Sequence, residues 1–198
     1  CPAVQACWNY EGQEGRPVEL LAFSGAQEVE VFVNGRSVGR KPVNRERPLP
    51  CSVRFETVYE PGKVEAVSYT DGREVSRAVL TTAGRPARLR LTPEKTTMKA
   101  DGHDLIYVNI DVVDQQGNRV PEAEIPLAAS LSGPALLSGF GTGNPVTAED
   151  YTDRETKSYR GTATAILRAG HEPGQIVLTV SGENLPEEKL KLCLSKGM

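Results

Sequence analysis

The side chains in this sequence that could act as catalysts are two histidines and several neighbouring carboxylates. His103 and His171 each lie in a polar, turn-like stretch, residues 101–104 and 170–173, so we expect both imidazoles to be solvated. A serine nucleophile of the G-x-S-x-G type lies where a strand turns into a helix, and helical periodicity is almost absent here. We therefore expect no nucleophile elbow and no catalytic triad.

Carboxylate pairs are the second possibility, because glycoside hydrolysis uses two carboxyl groups, one on each side of the scissile bond. The catalytic acid of such a pair also needs an apolar pocket that raises its pKa. The candidate pairs lie instead in loops without such surroundings: Asp101/Asp104, Asp150/Asp153 and Glu149/Asp150. We expect no catalytic residue in this chain.

Calcium prefers carboxylate and carbonyl oxygens, so loop acids could also form a metal site. Four acidic residues lie beside or within one predicted strand and could supply ligands: Asp101, Asp104, Asp111 and Asp114. Ordinary turns contain the same residue types, and the EF-hand pattern is absent. We expect no metal, and keep calcium as a weaker alternative.

Residues 139–145 are rich in glycine and superficially resemble a phosphate-binding loop. Such a loop needs a helix after it, so that the helix N-terminus faces the anion. Here a proline, acidic residues and a strand follow. We expect a loop with positive φ angles and close backbone contacts, and no cofactor.

Aromatic side chains, on which sugar rings stack, make up only 6% of the chain. Phe32, Tyr69 and Tyr107 fall on predicted strands and are candidates for the core. Trp8 and Tyr10 precede the first clear strand. We expect these two to pack against a neighbouring part of a larger protein, and contact with sugar is the alternative.

Strands rather than helices position these side chains. Residues 28–33 alternate so that Val29, Val31 and Val33 share one face. Asn34-Gly35 and Asp71-Gly72 predict two-residue hairpin turns, because both residues can take positive φ. With further strands at residues 17–24, 52–58, 64–69 and 73–80, the pattern predicts about seven short strands between residues 8 and 83.

Strands resume after residues 83–86, which we interpret as a linker. Residues 105–113 give the clearest alternation, with Ile106, Val108, Ile110 and Val112 on one face. Further strands are predicted at residues 87–92, 127–132, 162–168, 176–181 and 189–194. Residues 139–158 are predicted to form one long loop, of the kind that is often functional or packs against a neighbour.

This series predicts an all-β protein with two tandem immunoglobulin-like β-sandwich domains, residues 1–84 and 85–198. The net charge of −3 and pI near 5.6 disfavour nucleic acid and anionic membranes as partners. The chain begins Cys1-Pro2, without an initiator Met or a signal-like segment, so we expect a piece of a longer protein. Whether that protein is cytoplasmic or exported is left open, and so is its oligomeric state.

The four cysteines are Cys1, Cys7, Cys51 and Cys193. Their spacing contains no C-x₂-C pair for zinc and does not form a disulfide-dense framework. We expect unpaired thiols, some of them in cores. One disulfide that uses Cys1 or Cys7 is the alternative.

An ordered series of motifs resembles the region that follows the catalytic barrel in many bacterial glycoside hydrolase family 2 β-galactosidases. In the first half the motifs are residues 8–12, 17–20, 28–39 and 59–64 and the Asp71-Gly72 turn; in the second half they are residues 91–93, 99–105 and 141–145. The second half is similar to the C-terminal immunoglobulin-like domain of that family, which itself resembles modules of bacterial adhesins. The resemblance covers nearly the whole chain.

The resemblance implies an accessory role in carbohydrate metabolism. In that family two glutamates of a (β/α)₈ barrel, one acid/base and one nucleophile, hydrolyse terminal β-galactosides with retention. Neither the barrel nor these glutamates correspond to any position here, so the resemblance implies no catalytic residue. It implies that the barrel of a parent enzyme is the partner, with Trp8 as the expected contact.

Two other functions remain open. A carbohydrate-binding module would carry a cluster of exposed aromatic rings on one sheet face or at a loop end. An adhesion-type spacer would form a rigid pair of domains and could bind calcium at the linker, residues 83–86.

Overall fold

The computed structural model describes residues 6–46 and 48–196. These residues form strands, turns and loops without a helix, which confirms the all-β prediction, and so they include no helix that could cross a membrane. The chain divides into two compact units, one ending at Thr82 and the other beginning at Ala83. We describe each unit by itself.

Unit 1 contains six strands among its described residues, close to the number predicted. They are β1 (Pro17–Phe23), β2 (Glu28–Val33), β3 (Arg36–Pro42), β4 (Ser52–Val58), β5 (Lys63–Thr70) and β6 (Arg73–Thr81). One antiparallel sheet has the order β3-β2-β5-β6, and β1 pairs antiparallel with β4 in a second sheet. The two sheets enclose a common core, as in a β-sandwich.

The two predicted hairpin turns are confirmed by their backbone angles. Asn34 and Gly35 have φ of 49° and 79°, and Asp71 and Gly72 have φ of 50° and 74°. These values suit a type I′ turn, whose twist matches that of the flanking strands. The turns set the register of β2 with β3 and of β5 with β6.

The core of unit 1 comes from one face of each sheet. Val29, Val31 and Val33 of β2 are buried, as predicted, and pack with Val53 and Phe55 of β4. Full burial of one such side chain stabilises the fold by about 1.5–3 kcal/mol. Alternation along the strands therefore places the polar side chains of the same strands on the outer faces.

Unit 2 contains nine strands within the described part of the chain. They are β7 (Arg88–Pro93), β8 (Thr97–Lys99), β9 (Leu105–Val113), β10 (Pro126–Ser132), β11 (Ala135–Gly141), β12 (Glu155–Lys157), β13 (Thr162–Ala169), β14 (Gly174–Gly182) and β15 (Leu185–Ser195). One sheet has the order β12-β10-β14-β15-β8 and the other β11-β13-β9-β7. All pairs are antiparallel except β15 with β8, which is parallel.

Strand β9 has the predicted bounds and the predicted faces. Ile106, Val108, Ile110 and Val112 are fully buried in the unit 2 core. Tyr107 lies on the opposite face and is exposed, so it is not the core residue that its position on a strand had suggested.

The predicted loop at residues 139–158 is wrong at both ends. Strand β11 continues to Gly141, and β12 occupies Glu155–Lys157, so the irregular segment covers only residues 142–154. The strands β8, β11 and β12 were not predicted. Short edge strands carry little periodicity, and glycine in a strand reads as a loop signal.

Gly139 and Gly141 of β11 are needed for close packing and not for positive φ, which neither residue has. A Cβ on Gly139 would contact Ile166, and a Cβ on Gly141 would overlap the ring of Tyr151. The Phe140 N–H also donates to the Tyr151 carbonyl at 2.7 Å. The loop is thereby fixed against the outer surface of β11.

Gly141→Ala tests this packing. Because the new Cβ overlaps the Tyr151 ring, the ring and its loop must move, and we expect unit 2 to lose about 1–3 kcal/mol of unfolding free energy. Urea denaturation of the chain measures this loss. Gly143→Ala is the matched control, since a Cβ there meets no atom within 4 Å; equal stability of the two variants would contradict the proposed contact.

Candidate functional site

Trp8 belongs to the core of unit 1 and is only 1% exposed. Its ring meets the rings of Tyr59 and Tyr10 edge to face, at centroid distances of 5.1 Å and 6.1 Å. Tyr10 and Tyr59 also meet edge to face, at 5.2 Å. This corrects the prediction that Trp8 presents its ring to a neighbouring part of the protein or to sugar, because its own unit covers the ring.

Hydrogen bonds fix the Trp8 segment to the last residues of the same unit. The Trp8 indole Nε1–H donates to the Glu60 carbonyl at 3.0 Å. The Thr82 hydroxyl donates to the Trp8 carbonyl at 2.7 Å and accepts the Gly62 N–H at 3.0 Å. The segment that enters unit 1 and the segment that leaves it are therefore held side by side.

Tyr10 is the member of the predicted pair that keeps exposed surface. Desolvation by its partial burial raises the pKa of the Tyr10 phenol, and electrostatic interaction with Cys7 and Tyr59 raises it further. The phenol is therefore neutral at physiological pH. It can donate a hydrogen bond to a group outside the unit while its ring packs on Tyr59.

The acids that sequence analysis considered for catalysis or calcium serve as hydrogen-bond acceptors in turns. Asp101 accepts the backbone N–H groups of His103 and Asp104, both at 2.8 Å, and these bonds lower its pKa. The hydrogen bond from Lys95 Nζ, at 2.6 Å, lowers the pKa of Asp104, helped by the Lys99 N–H at 2.8 Å. Both carboxyls therefore stay ionised at neutral pH.

Acids of the loop at residues 142–154 are used in the same way. Asp150 accepts the backbone N–H and the hydroxyl of Thr152, each at 2.8 Å, and the pKa of Asp150 is lowered by these bonds. Glu149 accepts the Thr156 hydroxyl at 2.7 Å and the Lys157 N–H at 3.2 Å. These contacts connect the loop to β12.

Asp114 is a buried acid, 2% exposed, at the end of β9. It accepts the Gly84 N–H and the Asn118 N–H at 2.8 Å, and the Asn118 side-chain amide at 3.1 Å. Desolvation opposes ionisation of Asp114, but the hydrogen bonds outweigh it and its pKa lies below the ordinary value. Asp111 instead pairs with Arg90 at 2.7 Å.

These contacts leave the four acids suggested for calcium with protein partners. In the described part of the chain, no group of three or more histidine, cysteine, aspartate or glutamate side chains converges as metal ligands would. Asp114 also binds a residue of the predicted linker, Gly84, so its carboxylate holds the start of unit 2.

The remaining reactive side chains are dispersed. His103 and His171 are both exposed in turns, as predicted. The string G-x-S-x-G occurs at residues 35–39. It lies in the β2–β3 hairpin, where the Ser37 hydroxyl donates to Glu30 at 2.7 Å. No nucleophile elbow forms there, because no helix follows.

Cys51 and Cys193 carry free thiols, in agreement with the prediction for these two. Cys7 is buried, and its sulfur accepts the Asn9 N–H at 3.3 Å. Cys1 lies outside the described residues. The alternative of one disulfide that uses Cys1 or Cys7 therefore stays a prediction.

Two surfaces of unit 2 have contrasting chemistry. An open groove beside β10 and β12 is lined by acidic groups and one lysine, Glu149, Glu155, Glu183 and Lys157 among them, and its lining contains no aromatic side chain among the described residues. The outer face of the sheet β11-β13-β9-β7 carries two half-exposed tyrosines, Tyr107 and Tyr151. Sequence analysis missed this face, although the alternation of β9 already placed Tyr107 away from the core.

Two tandem all-β sandwich units, whose acids close turns and whose aromatic cluster anchors a chain segment, define an immunoglobulin-like accessory module. Residues 89–191 match the glycoside hydrolase family 2 C-terminal domain 5, and residues 15–76 match a domain of unknown function (DUF4982). The chain belongs to the glycoside hydrolase family 2 C-terminal domain 5 family.

Relatives and solved structures agree with this family. A β-galactosidase of Bacteroides ovatus is 33% identical over 186 residues, which are 93% of this chain and 21% of that enzyme. A β-glucuronidase of Formosa agariphila is 30% identical and matches 90% of this chain and 19% of its own. The crystal structure of a β-glycosidase from Bacteroides vulgatus, 30% identical, superposes with a TM-score of 0.90 over 96% of this chain and 24% of that one. The chain thus spans about a fifth to a quarter of the length of these relatives.

The buried acid Asp114 gives a test of the fold around the start of unit 2. Asp114→Asn replaces one acceptor oxygen by an N–H₂ donor, so we expect a loss of about 1–3 kcal/mol at neutral pH. Since the folded-state pKa is lowered, the stabilisation by ionised Asp114 is complete above about pH 5 and is lost as the pH falls through that pKa. Urea unfolding at pH 7, 5 and 3 should therefore show a smaller acid-induced loss in the variant.

The control for the other carboxyls is Glu122→Gln, which removes an exposed acid. Its acid-induced loss should equal that of the unaltered chain. Parallel pH profiles for Asp114→Asn and Glu122→Gln would show that Asp114 does not carry this contribution.

Proposed function

We propose that this chain is the non-catalytic accessory region of a glycoside hydrolase family 2 enzyme that cleaves terminal β-galactosides, and that it supports the catalytic barrel of that enzyme. The observation that carries the proposal is the tandem match: both units align together with about a fifth of a β-galactosidase at 33% identity. A region aligned in this way is a part of the enzyme chain and not a copy of its catalytic domain.

The chemistry of the acids supports a non-catalytic role. A glycosidase acid must hold its proton at the working pH, which requires a raised pKa. Asp101 and Asp150 have lowered pKa values because hydrogen bonds from their own turns stabilise the ionised form, and Asp104 has a lowered pKa chiefly because Lys95 donates to it. These acids are suited to closing turns and not to protonating a leaving group.

The segment around Trp8 and Tyr10 is the proposed contact with the barrel. Trp8 positions the segment without contacting the barrel itself, since its burial and the hydrogen bond from Thr82 fix the segment on unit 1. Tyr10 offers a half-buried ring and a neutral phenol. Nucleic acid and membrane are not proposed as partners, because the net charge of −3 provides no basic excess.

Residues 1–84 and 85–198 are proposed to be separate domains of this region. The compactness of the two units and the short predicted linker support that division.

A β-glucuronidase is the second candidate for the parent activity. The β-glucuronidase of Formosa agariphila matches 90% of this chain at 30% identity, nearly as well as the β-galactosidase does. Accessory sandwiches do not hold the substrate-selecting groups of the barrel, so they serve either activity equally well. The substrate must be determined by assaying the longer enzyme that carries this region.

A hydrolysis assay tests the proposal. The 198-residue chain and the longer enzyme that carries it are each given nitrophenyl β-galactoside and nitrophenyl β-glucuronide. We expect the longer enzyme alone to release nitrophenol, and from the galactoside. Release from the glucuronide only would select the second candidate, and release by the 198-residue chain itself would overturn the accessory role.

Tyr10→Ala tests the proposed barrel contact. In the 198-residue chain we expect a loss of about 0.5–1.5 kcal/mol per lost ring pair with Trp8 and Tyr59. In the longer enzyme the loss should be larger, seen as a shorter half-life of activity on heating, because the barrel contact is lost as well. Phe23→Ala, at an aromatic residue that is 53% exposed on β1, is the control.

Comparing the loss of stability in the 198-residue chain with that in the longer enzyme decides whether Tyr10 contacts the barrel. If Tyr10→Ala weakens the longer enzyme no more than it weakens the chain alone, Tyr10 has only an internal role and the contact lies elsewhere.

A further inference from the structure

The outer face of the sheet β11-β13-β9-β7 carries two tyrosine rings. Tyr107 is 43% exposed and Tyr151 is 49% exposed. In the register of the sheet, Tyr107 of β9 lies beside Ile166 of β13, which lies beside Gly139 of β11. Tyr151 comes from the loop and covers Gly141, two residues further along β11.

The spacing of the rings follows from sheet geometry. Two strand intervals separate β9 from β11, and two residues separate Gly139 from Gly141. With strands about 4.8 Å apart and a rise of about 3.4 Å per residue, the backbone of Tyr107 lies about 12 Å from the backbone of Gly141, which the Tyr151 ring covers. This distance matches a short oligosaccharide rather than one sugar ring.

Ile166 and Thr164 of β13 lie between the strand of Tyr107 and the strand that Tyr151 covers. Gly139 and Gly141 of β11 are themselves buried, because Ile166 packs beside Gly139 and the Tyr151 ring covers Gly141. Phe140, between them, points into the core and is 1% exposed. Residues 139–141 of β11 therefore add no side chain to the surface between the two rings.

Polar groups without protein partners lie beside the two rings. Thr164 of β13 lies between β9 and β11, Asn109 lies on β9 with Tyr107, and Thr92 lies on β7, on the side of β9 away from β11. Among the described residues, none hydrogen-bonds the hydroxyls of Thr92 and Thr164, the Asn109 amide or the two tyrosine hydroxyls; the Glu94 carboxylate accepts the Tyr107 backbone N–H at 3.4 Å. Two hydroxyls, one amide and two phenols are thus free to bind a ligand.

Carboxylates lie beside both rings of this face. The exposed Glu94 is next to Tyr107: its N–H donates to the Tyr107 carbonyl at 3.0 Å, and its carboxylate accepts the Tyr107 N–H at 3.4 Å. Asp150 precedes Tyr151 in the loop, and at the ends of the face Arg90 is neutralised by Asp111 at 2.7 Å and Arg168 is exposed. The carboxylates can accept hydroxyl groups of a neutral sugar and would repel an acidic ligand.

We propose that this face binds a neutral oligosaccharide, with Tyr107 and Tyr151 stacking on two of its sugar rings and Asn109, Thr92 and Thr164 hydrogen-bonding its hydroxyls. Aromatic rings bind the apolar faces of other ring systems through area burial and dispersion, and their polar edges accept water or hydroxyl partners. The site would hold polymeric substrate near the enzyme. Only the choice of β-linked probes rests on the proposed function; the site itself rests on the geometry.

Native gel electrophoresis in gels that contain a soluble polysaccharide tests the site in the 198-residue chain. The probes are β-1,4-galactan and mixed-linkage β-glucan, which are neutral, and polygalacturonate, which is acidic. We expect the neutral polymers to slow the chain. Tyr107→Ala should weaken the apparent affinity about tenfold, the effect of losing one stacked ring, whereas Tyr107→Phe should retain most of it.

Controls separate binding from folding. Tyr151→Ala should also weaken binding, but it alters the packing on Gly141, so Tyr107→Ala decides. Phe23→Ala removes an equally exposed aromatic ring from unit 1 and should leave the retardation unchanged. Urea denaturation confirms that each variant is folded.

Three results would overturn the proposal. They are unchanged mobility in both neutral polymers, undiminished retardation of a folded Tyr107→Ala variant, and retardation by the acidic polymer alone. The first result would make a protein surface the better interpretation of the exposed rings. None of them bears on the hydrolysis assay of the longer enzyme, so failure here and failure of the proposed function are distinguishable.

Discussion

The two-residue alternation of side chains along β-strands is the constraint on which both units depend. In β2 and β9 every second residue is a buried Val or Ile, and these residues supply much of each core. Because the period is two, a shift of one residue would place the whole apolar set in water. The alternation therefore fixes the register, and it also determines which side chains remain available on the outer faces.

The segment around Trp8 shows a second kind of constraint, namely contacts between residues that lie far apart in the sequence. Trp8 becomes a core residue because it contacts Tyr59 and Glu60, between β4 and β5, and Thr82, at the end of the unit. The turn acids act similarly on a smaller scale: Asp101 and Asp114 satisfy backbone N–H groups that would otherwise lack partners. An acid committed to such bonds is ionised and fixed, which makes it a poor catalyst or metal ligand.

Local patterns account for what could be predicted from the sequence. Alternation gave β2, β4 and β9 with their bounds, and the Asn34-Gly35 and Asp71-Gly72 turns gave two hairpins. The errors concern contacts between distant residues. Trp8 lies outside any strand and was therefore expected to be exposed. The glycines of β11 indicated a loop, although Gly141 is there because the Tyr151 ring packs on it. Strand β8 is defined only by its parallel pairing with β15.

The outer sheet face of unit 2 follows from the same alternation that builds the core. With Ile106, Val108 and Ile110 inside, Tyr107 and Asn109 must point outward, and a tyrosine held on a rigid strand loses little further conformational entropy when it binds a ligand. The structure adds what alternation cannot supply: a second ring, from Tyr151, held by the carbonyl contact with Phe140 and by the absence of a side chain at Gly141. Both rings are thus positioned by backbone contacts of the unit itself, so fewer groups remain to be ordered when the proposed ligand binds.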